Sequence, residues 1–179
     1  LTNTLLLTAA LTLTAWWASG GRGFRLRGHG AVGGTLLAAL IGMFVLGVSG
    51  AITALGDTLT IAGGISPEEN ALVATFVQLR VFHPLIAFLA GGLLFYAVST
   101  GTRRTAAPLV HRFGWWAAGL FAVQLFVGAI NVWLMAPVWL QMVHLLLTMV
   151  IWMLIVLYGA TVLAAGDAAA QGSQPARPA

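Results

Sequence analysis

The chain has no lysine and no cysteine, and charged side chains make up only 7% of its 179 residues. Each shortage excludes something. Without cysteine there is no disulfide framework, no thiolate metal site and no thiol nucleophile. With so little charge the chain cannot cover a water-facing surface, which in soluble domains is about a quarter charged or more. Acidic residues are the scarcest, four against eight arginines. The formal charge of +4 that results is scattered over loops, where it marks membrane topology and forms no phosphate-binding patch. Nucleic acid is therefore not an expected partner.

What is present is apolar: 60% of residues are hydrophobic, with a mean hydropathy of +0.97. A helix that crosses a bilayer needs about 20 apolar residues. Five stretches meet or approach that length, at residues 1–19, 31–55, 76–99, 113–134 and 138–165. The expected fold is all-α, a polytopic membrane protein with five transmembrane helices embedded in a lipid bilayer. The first run has no basic leader and no small-residue cleavage site, so it reads as a span and not as a signal peptide. Residues 166–179, rich in Ala, Gln, Pro and Ser, are expected to form a disordered tail.

Charge orients the spans. Arg22, Arg25 and Arg27 fall in the first connection (20–30), and Arg103, Arg104 and Arg112 in the third (100–112). The second (56–75) holds Asp57, Glu68 and Glu69. By the positive-inside tendency the first and third connections and the C-terminus are cytoplasmic, and the second is external. Within that external loop Ser66-Pro67-Glu68-Glu69 reads as a capping box, which either starts a helix running through Arg80 into the membrane or gives an ordinary loop a helical start.

Two histidines then stand out. His83 lies about five residues into the third span and His144 about six into the fifth, both counted from the external side. At about 1.5 Å per residue both sit roughly 8–9 Å below the outer boundary. Ionisable groups inside a bilayer are expensive and mark function by default. Two imidazoles at one depth on separate helices can approach a common iron from opposite faces. The competing reading is a pair of histidines that only hydrogen-bond between helices. Arg80, one turn outward of His83, either pairs with a haem propionate through its bidentate fork or snorkels to the interface. Pro84 removes a backbone donor and predicts a kink near Arg80. His29 and His111 lie among the cytoplasmic arginines and are expected to be solvated.

Two helix faces accompany the pair. Gly47, Gly50, Ala51 and Ala54 form a stripe of small residues in the second span, which admits either a neighbouring helix or a flat macrocycle. Gln124, Gly128 and Asn131 share a face of the fourth span, and buried amides need partners, either across helices or on the polar edge of a ligand.

In order and spacing, the segments Gly50-Ala51-Ile52-Thr53-Ala54-Leu55-Gly56-Asp57-Thr58, Arg80-Val81-Phe82-His83, Gln124 through Val132 and Trp139 through His144 resemble the C-terminal half of the haem A synthase family. The resemblance spans residues 31–165. It implies eight-span proteins built as two pseudo-symmetric four-helix bundles, with residues 31–165 as a haem-binding bundle and residues 1–19 as the last span of an N-terminal bundle absent here. It implies haem b as cofactor, its iron held by His83 and His144, and haem O as substrate, a ring methyl being oxidised to the formyl of haem A. The implied setting is the cytoplasmic (inner) membrane, with haem O synthase and cytochrome oxidase assembly factors as partners. Pro84 replaces an arginine common in the family, and the external cysteine pair of some members is missing. This chain alone is expected to hold the haem without turning over. The alternative is a bis-histidine b-type cytochrome that only transfers electrons. A scaffold without haem is a third reading.

Overall fold

The computed structural model describes residues 2–26 and 29–172. The protein is all-helical, with 84% of residues in helix and no strand among the described residues. Helix α1 covers Thr2–Ala18, α2 Gly30–Asp57, α3 Ala71–Leu79, α4 Phe82–Arg104, α5 Pro108–Trp133 and α6 Val138–Gly172. A π-helical segment, Thr58–Ala62, extends α2 beyond Asp57. Among the described residues, four helices are long and apolar enough to cross a membrane: α2, α3 with α4, α5 and α6. These make the chain a multi-pass membrane protein. At 17 residues α1 falls short of that length.

Sequence neighbours pack as antiparallel pairs. α2 lies along α4, α5 along α6, α4 also touches α5, and α1 lies against α6. The shared core is built from Leu36 and Met43 of α2, Leu94 and Val98 of α4, Phe121 of α5, and Ile151, Ile155 and Tyr158 of α6. Many large apolar side chains outside that core are exposed, among them Phe88, Trp116, Phe126 and Trp133. In water this would be untenable; in lipid it is the expected exterior, because a helix gains nothing by hiding leucine from acyl chains.

Small residues let the helices approach. A Cβ on Gly101 or Gly114 would run into the Tyr158 ring, and one on Gly91 into Phe121. Tyr158 donates its hydroxyl hydrogen to the Ala97 carbonyl (2.7 Å), and Trp152 Nε1 donates to the Leu5 carbonyl (2.9 Å). With no water at that depth, a buried donor must find such a carbonyl.

Several boundaries differ from the sequence expectation. The capping box does not start a helix: Ser66 Oγ accepts from Glu68 N (3.2 Å) in an isolated turn, and α3 begins at Ala71. Asn70 is its cap, with Oδ1 accepting from Leu72 N (3.0 Å) and Val73 N (3.3 Å). The kink predicted at Pro84 is a break. Pro84 has no N–H to give the Arg80 carbonyl, so His83 N takes it (3.3 Å), and residues 80 and 81 turn between α3 and α4. The third connection shrinks to residues 105–107, because α4 and α5 extend over Arg103, Arg104, His111 and Arg112. The expected tail is helical through Gly172; its residues 173–179 lie outside the described residues. A two-residue left-handed turn at Met135 and Ala136 (φ 58° and 55°) joins α5 to α6.

Candidate functional site

The two histidines singled out from the sequence lie at the same end of the helices, where α2 and α5 finish and α4 and α6 begin. His83 is the second residue of α4 and His144 the seventh of α6. Their surroundings match. The His83 ring rests on α2 at Gly50, where a Cβ would lie 3.0 Å from His83 Cε1; the His144 ring rests on α5 at Gly128, where a Cβ would lie 3.2 Å from His144 Cε1. Few real Cβ atoms come so close, so each glycine is the recess that lets an imidazole lie close against the neighbouring helix.

The ring nitrogens are treated unequally. His83 Nδ1 is hydrogen-bonded to Ser49 Oγ at 2.8 Å. His144 Nδ1 is buried without a partner among the described residues. Neither Nε2 bonds to a described residue, and neither belongs to the buried unpartnered atoms, so both remain accessible. Each histidine thus turns Nδ1 toward protein and leaves Nε2 free. That is the presentation a metal ligand needs.

Polar neighbours surround the pair. Gln124 Nε2 donates to the His144 carbonyl (2.8 Å) and to Thr148 Oγ1 (2.7 Å), so the amide bridges α5 and α6, one of the two roles expected of it. Its Oε1, like Asn131 Oδ1, is buried and has no partner among the described residues. Arg80 lies at the α3–α4 break and forms an ion pair with Asp57 at the end of α2. Its guanidinium is half exposed at the mouth of the site. Beside Ser49 an apolar groove of about 380 Å³ runs between α2 and α4, walled by Phe44, Val48, Ile52, Phe82 and Ile86.

His29 and His111 are on the opposite end. His111 is exposed, as expected. His29 is not solvated: its side chain is 7% exposed, it donates from Nε2 to the Arg25 carbonyl (2.8 Å), and it lies 3.7 Å from Asp167. Asp167 also accepts from Arg25 N (2.6 Å). A helical end to α6, where a tail was expected, places that carboxylate there. Ser49 and Asp57 were not singled out as contacts of His83 and Arg80. A serine four residues ahead of Thr53 reads in sequence only as an ordinary small helix residue. Both become visible when α2 is laid along α4.

Among the described residues no three or more of His, Cys, Asp and Glu gather into a group able to hold a metal ion. A metal at this end would therefore need most of its ligands from a cofactor.

A family pattern and two curated relatives match the chain, and the relatives carry the name of a different enzyme. The sequence pattern described as cytochrome oxidase assembly protein (COX15-CtaA) matches residues 1–156. Two curated relatives, from two strains of Thermus thermophilus, are each named protoheme IX farnesyltransferase and are each 45% identical over 174 residues. The match takes in 93% of this chain but 28% of each relative, so the chain spans little more than a quarter of their length. No solved structure matches. With the family pattern covering most of its length, the chain belongs to the COX15-CtaA cytochrome oxidase assembly proteins, the haem A synthase family.

Proposed function

We propose that this chain is the haem-binding part of a haem A synthase, with His83 and His144 as the axial ligands of a haem b between four transmembrane helices, α2, α4, α5 and α6. The observation that carries the reading is the matched pair: two imidazoles at one end of the helices, each seated on a glycine of its neighbour, each with Nε2 free and accessible. Two histidines alone make a poor site for a bare ion. They suit an iron whose four equatorial ligands come from a porphyrin. The Nε2 atom of each ring, left without a hydrogen-bond partner among the described residues, is the atom that would hold the iron.

Haem bound there would supply one-electron redox chemistry. The protein's own residues hold and orient it. Gly50 and Gly128 leave room for the two rings, Gln124 braces α5 against α6 at the His144 carbonyl, and Arg80 offers a guanidinium for a propionate, in competition with Asp57. The apolar exterior excludes water from the ligand bonds. The site faces the external side if the arginines at the other end are cytoplasmic.

The family supports an oxidative step in haem A formation on the way to cytochrome oxidase. The Thermus relatives support the substrate: a polypeptide named for attaching a farnesyl group to protohaem includes a stretch like this chain, and farnesylated haem is the compound a haem A synthase consumes. The relatives' own activity belongs to much longer proteins. The test is production of haem A, read by chromatography of extracted haems, in membranes that hold this chain, a haem O source and the N-terminal half of a haem A synthase. Haem A formation that His83→Ala abolishes supports the synthase. Bound haem b with no haem A under any pairing favours the electron carrier.

A further inference from the structure

Ser49 Oγ lies 2.8 Å from the Leu46 carbonyl oxygen and 2.8 Å from His83 Nδ1. A hydroxyl has one hydrogen to give, and a carbonyl can only accept. Both contacts are satisfied together in one way: Ser49 donates to Leu46 and accepts from the ring. The reverse would set two oxygens lone pair to lone pair at 2.8 Å in a part-buried position, where little water is available to relieve the repulsion. Nδ1 of His83 therefore carries the hydrogen, and Nε2 carries the lone pair.

We propose that Ser49 is a positioning residue that fixes the tautomer and the ring plane of His83, and so sets the redox potential of the iron this histidine holds. The inference rests on the haem-ligand reading of the pair. An Nδ1–H engaged by an oxygen acceptor makes Nε2 a stronger electron donor, which favours oxidised iron and lowers the potential. His144 receives no such help, because its Nδ1 has no partner among the described residues. The two ligands are unequal, and α2 controls the stronger one. Ser49 sits in the same α2 turn as the recess at Gly50, so one stretch of backbone supplies both the plane and the tautomer.

The test uses the whole chain in mild detergent, as wild type, Ser49→Ala and Ser49→Thr. Redox titration gives the midpoint potential, and haem transfer to apomyoglobin gives the rate of loss. Ser49→Ala is expected to raise the potential and to speed haem loss by about tenfold, a typical effect of deleting the hydrogen-bond partner of a metal-ligating histidine. Ser49→Thr, which keeps the hydroxyl, is expected to restore both. If Ser49→Ala retains no haem, a Ser49→Thr protein with the wild-type potential still upholds the role. An unmoved potential and loss rate in Ser49→Ala, or an equal change in both variants, overturns it while the ligand assignment stands. A wild-type protein without haem overturns both.

Discussion

His83 and His144 are held by the least conspicuous residue type in a membrane helix. Glycine is unfavourable in a helix interior by roughly 1 kcal/mol relative to alanine, and at Gly50 and Gly128 that disadvantage is exchanged for an imidazole lying against backbone. Gly50→Val is expected to push the His83 ring away and reduce haem content several-fold. Gly92→Ala, where a Cβ meets nothing within 4 Å, is expected to leave haem content unchanged and serves as the control. Pyridine haemochrome assays of the two purified variants measure the difference. Sequence alone showed the two histidines, because an ionisable residue in an apolar run stands out. The small-residue stripe through Gly50 was visible too, but its partner was not: periodicity gives a face, and only packing shows that an imidazole occupies it. Ser49 was invisible for the same reason.

Among the elements, the third span departs most from a simple apolar rod. Pro84 fixes the break between α3 and α4, and its effect was legible because a missing N–H acts on one carbonyl, that of Arg80. The start of α3 was not legible. Ser66 and Glu68 carry a capping signature, yet it closes only a turn, in which Ser66 Oγ donates to Glu68 Oε2 (2.9 Å). Asn70, four residues later, is the side chain that caps α3. Of the two candidate caps, Asn70 is the one whose Oδ1 takes the free N–H groups at the start of α3, those of Leu72 and Val73. Asn70→Ala is expected to destabilise α3 by about 1 kcal/mol and to increase amide exchange at Leu72 and Val73, with α4 unaffected. Hydrogen exchange followed by mass spectrometry resolves the two helices. Length was likewise misjudged at the arginine-rich end. Charged residues were counted as loop, although Arg103, Arg104 and Arg112 continue helices whose backbone bonds are already satisfied.

At the scale of the whole molecule, α6 is hydrogen-bonded to two more helices beyond the site. Trp152 ties α6 to α1, and Tyr158 ties α6 to α4 across the recesses at Gly101 and Gly114. Both ties lie further along α6 than His144. Tyr158→Phe is expected to lose about 1 kcal/mol, the net worth of one buried hydrogen bond. Gly101→Ala, which forces the ring out of its recess, is expected to cost more; thermal unfolding in detergent ranks them. The class of fold was legible because hydropathy decides it, but the pairing of α2 with α4 and of α5 with α6 follows from glycine contacts that no hydropathy profile records.

The most direct measurement is a reduced-minus-oxidised absorption spectrum of the purified chain, beside His83→Ala and His144→Ala. A sharp low-spin b-type spectrum that either substitution weakens or converts to high spin is the predicted result. A wild-type protein that carries no haem, from cells that make it, would contradict the account.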